Sequence, residues 1–225
     1  RAYARRMRKR SVKPASMTLQ QYSAFDEASP HRHEYVRGEV HAMTGASVRH
    51  NRIVGNLHFH LRTAARGGPC SVFFEAVRLL AADDVVYYPD IIVACGAAAE
   101  VEAEITQPCF IVEVTSPSTA ATDRREKLAV YQAMPSLKGY LIIEQRRRFG
   151  VLYTRGPQGA WARVELEGNE PVDVPCPRTA LSLDDIYEGV ALPAMRVSEE
   201  EWMRDEERAA EEEIAHDEAT RHLVR

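Results

Sequence analysis

Tyr87-Tyr88-Pro89-Asp90-Ile91-Ile92-Val93 is followed by Phe110-Ile111-Val112-Glu113-Val114-Thr115-Ser116-Pro117-Ser118-Thr119, and these two stretches together decide the fold. Short runs so rich in Ile and Val, bounded by Pro or Ser, read as strands near the middle of a sheet. Each holds one carboxylate, Asp90 and then Glu113, 23 residues apart. A carboxylate in such a strand is costly to bury unless a metal, a cation or several donors compensate it. Two strands that each bring one point to a divalent-cation site with hard oxygen ligands. Period two puts Asp90 on the face of Ile92 and Glu113 on the face of Ile111. If the strands are neighbours in register, both acids can converge on one Mg²⁺ or Mn²⁺, which keeps several of its own waters.

Working outward, Thr18 is suited to N-cap a short helix, and Glu34 to Met43 reads as a hairpin turning at Arg37-Gly38. A two-residue turn there places Glu34, Val36, Glu39 and His41 on one face. Ser47 caps a helix running to about Ala65, with Ile53, Val54, Leu57, Leu61 and Ala64 at helical spacing and His50 on the same inward face. Strands follow at about 71 to 81, 88 to 95 and 109 to 115. A helix from Ser118 or Thr119 runs to about Met134 and stops before Pro135. Tyr140 to Glu144 reads as a strand, and Phe149 to Tyr153 with Trp161 to Leu166 as a hairpin. After Pro171 the chain reads as irregular, with a short helix near Asp184 to Tyr187, and a charged helical tail begins at Ser198. This order points to an α/β sandwich around a mixed sheet.

The block Glu113-Val114-Thr115-Ser116-Pro117-Ser118-Thr119, followed by Asp123, Lys127 and Tyr131 and then Gly139 to Ile143, resembles the Uma2 (DUF820) family of bacterial endonucleases. So does Tyr35 to Val40 with Ser47 through Asn56, and the resemblance covers roughly residues 17 to 193. It implies a restriction-endonuclease-like core of the PD-(D/E)xK superfamily, with a mixed central sheet flanked by helices and with N-terminal and C-terminal hairpins. It also implies a Mg²⁺- or Mn²⁺-dependent endonuclease acting on DNA, with Asp90 and Glu113 as metal ligands. The chain departs from the superfamily pattern two residues after Glu113, where Thr115 stands in place of a lysine. The resemblance places that role on Lys127, four residues after Asp123 and so on the same helix face. Glu34 is the preferred third carboxylate at the metal, with Glu39 the other candidate. His50 either contacts a phosphate or metal-bound water or is a hydrogen-bonded core residue. The alternative reading is a catalytically inactive module of the same fold that binds nucleic acid or protein. A homodimer would suit double-strand cleavage, by analogy with the fold.

Composition bounds the rest. The 225 residues suit one domain at 17 to 193 with appendages, and no run approaches the roughly 18 apolar residues that would span a bilayer. The start lacks the apolar core of a secretory signal, so a cytoplasmic location is expected. Residues 1 to 16 carry seven Lys or Arg and no acid, and read as a disordered leader. Residues 198 to 225 carry eleven acids against four Arg, and the net charge is −4. No basic domain announces a nucleic-acid partner, although Arg124, Arg125 and Lys127, or Arg146, Arg147 and Arg148, are candidates to line a groove. Cys70, Cys95, Cys109 and Cys176 lack C-x-x-C spacing, which argues against a structural zinc site and makes Cys95 and Cys109 expected reduced core residues. There is no P-loop, hence no nucleotide cofactor, and Ser116 lacks the nucleophile elbow. His58 and His60 are two apart, unlike the spacing of a zinc protease.

Overall fold

Helix α1 (Leu19–Ala28) begins at a capping box, in which Thr18 and Gln21 satisfy each other's backbone amides. The computed structural model describes residues 16–43, 45–96, 104–115 and 126–193. The basic leader, the start of the helix after Glu113 and the acidic tail therefore lie outside the described residues. Strands β1 (His33–Val36) and β2 (Glu39–Ala42) form the expected hairpin. Its turn residues Arg37 and Gly38 take φ of 50° and 96°, the left-handed pair that a two-residue hairpin turn requires. The register sets Glu34 opposite His41 and Val36 opposite Glu39. Helix α2 (Val48–Ala65) starts where Ser47 accepts the His50 amide, and it buries Ile53, Val54, Leu57, Leu61 and Ala65.

The apolar run at 71 to 81 is not a single strand but splits into β3 (Cys70–Phe74) and β4 (Leu79–Ala82). The strand expected at 88 to 95 is the shorter β6 (Ile91–Cys95), and a further strand, β5 (Val85–Tyr87), precedes it. The break after β3 falls at Glu75 and Ala76, whose φ of 46° and 53° ends the ladder. The break before β6 falls at Pro89, which has no amide to donate. These strands then join different sheets. A four-stranded sheet runs β2-β1-β5-β4, and β3 and β6 form one side of a six-stranded sheet.

That larger sheet is completed by β7 (Pro108–Thr115), β8 (Gly139–Glu144), β9 (Gly150–Arg155) and β10 (Trp161–Leu166), in the order β10-β9-β8-β7-β6-β3. Only β7 and β8 run parallel, and the other neighbours are antiparallel, which makes the sheet mixed as expected. Helix α3 (Leu128–Ala133) ends ahead of Pro135. The segment after Pro171 is less irregular than its sequence suggests, since β11 (Val172–Pro175) and β12 (Arg178–Leu181) form a hairpin before helix α4 (Leu183–Ile186).

Both faces of the central sheet are covered. One face buries Ile91, Val93, Val112 and Val114 against Leu57 and Leu61 of α2 and against Leu183 and Ile186 of α4. The other buries Ile92, Ile111 and Ile142 against Tyr131 of α3 and Tyr87 of β5. Leu57 has no exposed surface. Leu57→Ala is expected to destabilise the fold by about 2–5 kcal/mol, through lost transfer energy and a cavity. A urea titration reads this as a lower midpoint with unchanged slope.

The cysteines depart from expectation. The β6–β7 register passes from Val93↔Phe110 to Ala94↔Pro108, so Cys109 is the extra residue of a bulge. Alternation along β7 would place Cys109 with Ile111, but it packs in the α2-facing core instead, as bulges re-aim side chains. Cys95 is exposed rather than buried, and it is bonded to Cys70, while Cys109 is bonded to Cys176 of the β11–β12 turn. Cys95 and Cys109 are thus not separate reduced core residues.

Candidate active site

Asp90 immediately precedes Ile91, whose ladder partner is Val112, so it stands beside Glu113 where β6 begins and β7 nears its end. The Val114 amide donates to Asp90 Oδ2 at 2.6 Å, which fixes the carboxylate against β7. His50, in the first turn of α2, lies with Nε2 3.0 Å from Asp90 Oδ1. Both side chains are largely buried, 14% and 18% exposed. Burial opposes charging of His50, but the Asp90 hydrogen bond and charge, with Glu75 behind them, outweigh it and raise its pKa above the usual histidine value. Ser47, the cap of α2, donates to Gln145 Oε1 at 2.8 Å and ties the helix start to the end of β8.

Glu113 shares the face of Ile111, toward Tyr131 of α3. Lys127 Nζ lies 3.2 Å from Glu113 Oε1 and 2.9 Å from Glu34 Oε1, so one ammonium bridges two carboxylates from different sheets. The side chains of Glu113 and Lys127 are only 6% and 8% exposed. Tyr131, one helical turn after Lys127, donates its hydroxyl to Glu113 Oε1 at 3.0 Å. Burial, then the Glu113 charge, push the Tyr131 hydroxyl well above its ordinary pKa, which keeps it a neutral donor. The ring of Tyr87 sits 5.2 Å from Nζ, a cation–π contact on a desolvated ammonium. Glu34 Oε1 also accepts the Tyr88 amide at 3.4 Å.

The sequence candidates are thus sorted by geometry. Asp90 and Glu113 each sit one residue beyond the Ile91↔Val112 pair of the β6–β7 ladder, and Lys127 reaches Glu113 from the start of α3. Glu34 arrives too, its Oε1 engaged by Lys127 and the Tyr88 amide. Glu39 is exposed at the turn end of the hairpin. Asp123, expected to hold Lys127, lies outside the described residues, as do Arg124 and Arg125. Thr115 is buried and its hydroxyl donates to the Ile143 carbonyl at 3.4 Å. Arg147 is paired with Glu144 and Arg148 with Asp184, whereas Arg146 is exposed. Two contributors carried no role in the sequence reading. Tyr131 stands four residues after Lys127, a spacing that predicts a shared face. The Ser47–Gln145 bond joins distant segments and leaves no local signal.

Among the described residues, three carboxylates, Glu34, Asp90 and Glu113, gather with one lysine at this end of the sheet. Only the four cysteines, again among the described residues, bring three or more ligand atoms within reach of a single ion. Glu34 and Glu113 share the Lys127 ammonium, and Asp90 lies next to Glu113 along the β6–β7 ladder. Two adjacent hard carboxylates fit Mg²⁺ or Mn²⁺, which take few protein ligands and complete their shells with water.

Comparison with known proteins agrees with this architecture. The model of the Uma2 family, described as "Putative restriction endonuclease", matches residues 19–184. Two uncharacterised Synechocystis proteins are similar to the chain. One, slr1290, is 29% identical over 177 residues, covering 78% of this chain and 93% of its own length. The other, sll1609, is 29% identical over 156 residues, covering 68% of this chain and 88% of its own. A crystal structure from Anabaena variabilis, described as a "putative nuclease belonging to DUF820", shares the fold with a TM-score of 0.65 at 18% identity. The match spans 78% of this chain and 99% of that one. No helix among the described residues is long and apolar enough to cross a membrane.

Proposed function

The chain belongs to the Uma2 family, and on that premise we propose that it is a metal-dependent endonuclease that hydrolyses phosphodiester bonds in DNA. One observation carries the reading: Lys127 lies 3.2 Å from Glu113, and Asp90 precedes Ile91, whose partner Val112 adjoins Glu113. A carboxylate pair with an adjacent lysine is thereby supported although Thr115 follows Glu113 in the chain. The lysine comes from a helix instead of the strand.

Asp90 and Glu113 are the residues that would hold Mg²⁺ or Mn²⁺. Such an ion lowers the pKa of bound water and neutralises charge on the phosphate and leaving oxygen. The remaining roles belong to the chain itself. Lys127 offers a fixed positive charge beside Glu113, suited to orienting the attacking water or stabilising the phosphorane oxygens. Glu34 and the Tyr87 ring hold that ammonium in place, and Tyr131 holds Glu113. His50, in the first turn of α2, holds the Asp90 carboxylate through its Nε2. A homodimer would present two such sites to the two strands of a duplex.

The test is a time course of supercoiled plasmid and single-stranded DNA with Mg²⁺, Mn²⁺ or EDTA. Cleavage is expected with either metal and is expected to stop with EDTA. A folded protein that neither cuts nor binds Mn²⁺ would instead be a binding module of the same fold.

A further inference from the structure

The four cysteines gather at the far end of the strands that carry the carboxylates. Cys70 opens β3, Cys95 closes β6, Cys109 sits in the β7 bulge and Cys176 in the β11–β12 turn. All four sulfurs lie within 4.8 Å of one another. The contacts do not stop at the two bonded pairs. Cys95 Sγ is 3.1 Å from both Cys109 Sγ and Cys176 Sγ, and Cys70 Sγ is 3.9 Å from Cys176 Sγ. Two disulfides serving separate purposes have no reason to share one small volume. Four side chains aimed at a common centre from four elements do.

We propose that the reduced protein holds one Zn²⁺ in a tetrathiolate site formed by Cys70, Cys95, Cys109 and Cys176. Thiolates about 2.3 Å from a tetrahedral zinc stand about 3.8 Å apart, which is the scale of this cage. A four-iron cluster places its own core between the thiolates and needs a wider one. Soft sulfur ligands also separate this site from the hard carboxylate pole. Asp90 and Cys95 lie at opposite ends of β6, about 17 Å apart along an extended strand.

Several features suit a structural ion. Cys109 and Cys176 are buried, Cys70 is half-buried and Cys95 is exposed, which leaves a path for the metal to enter. The bulge that turns Cys109 toward the others has its purpose here. The ion ties β3, β6 and β7 to the β11–β12 hairpin, so its binding energy is folding energy. Taking the two disulfides to four thiols requires four electrons and four protons, supplied by two equivalents of a dithiol reductant. Zinc then displaces the thiol protons.

The test uses the full chain reduced by a dithiol, with native mass spectrometry after addition of Zn²⁺. One zinc per chain is expected. Co²⁺ in its place should give thiolate-to-cobalt charge-transfer absorption and tetrahedral d–d bands, a signature that carboxylate ligation does not produce. Because Cys95 is exposed, Cys95→Ser should leave the fold intact by circular dichroism. It should weaken zinc retention by about 100-fold or more, judged against the effect of losing even an outer partner. Zinc should raise the melting temperature of the reduced wild type and not of this variant. Asp90→Asn should leave zinc binding unchanged. Reduced, folded protein that takes up neither Zn²⁺ nor Co²⁺ would overturn the proposal. So would binding that survives both Cys95→Ser and Cys176→Ser.

Discussion

Asp90→Asn is expected to lower metal-dependent DNA cleavage by about a thousandfold or more. A metal at a phosphoryl centre contributes several kcal/mol of charge stabilisation, and each 1.36 kcal/mol is about tenfold in rate. Asn keeps the size of Asp90 and one carbonyl acceptor for the Val114 amide, so the strand contact survives while the charge is lost. It does lose the charge facing His50, and a hydrogen bond to a charged group contributes about 1.5–3 kcal/mol, so circular dichroism at the assay temperature is measured alongside and is expected to show the native fold. This separates a chemical defect from a folding defect. Cleavage at the wild-type rate by Asp90→Asn would remove Asp90 from the mechanism and, with it, the two-carboxylate metal site.

Lys127→Met carries the largest expected effect on stability. The ammonium lies between Glu34 and Glu113, and both it and Glu113 are nearly inaccessible. Removing it leaves a buried carboxylate without its cation, and breaking a buried pair this way costs about 3–5 kcal/mol. Methionine fills much the same volume, so the loss reflects charge and not a cavity. Urea midpoints of Lys127→Met, Glu113→Gln and the double variant form a thermodynamic cycle. The double variant should be more stable than the sum of the two single losses predicts, because the Glu113 charge is gone as well and only Glu34 has lost its ammonium. Additive losses would mean that the two groups do not interact. A midpoint for Lys127→Met equal to wild type would place the lysine in water, contrary to the site described above.

The family connection adds a reason to measure both. In this chain Thr115 stands two residues after Glu113, where the superfamily pattern has a lysine, and its hydroxyl serves the backbone of β8. If Lys127 has taken the role over, Lys127→Met should also abolish cleavage, and Thr115→Lys should not restore it without further change.

What the chain determined by itself was local. The Thr18 and Ser47 caps, the Arg37-Gly38 turn, the helical stripe of α2 and the apolar run of β7 each rest on residues close in sequence. Their physics is hydrogen bonding to nearby amides and a period of two or 3.6, so a reading along the chain recovers them. Glu113 was conspicuous for the same reason, as a charge within the apolar run of β7, and Asp90 as the acid between Pro89 and the first residue of β6. Tertiary structure alone decided the rest. Nothing local shows that the run at 71 to 81 divides between two sheets, or that Val85–Tyr87 pairs apart from Ile91–Cys95, because each piece can pair wherever a partner strand has a free edge. Glu34 looks like any hairpin acid until the four-stranded sheet carries it to Lys127. The cysteines look unrelated until a one-residue bulge turns Cys109 across the sheet and a distant hairpin delivers Cys176. Each of these depends on which backbone amides find which carbonyls across the fold, and that pairing is settled by the whole molecule rather than by neighbours in the chain.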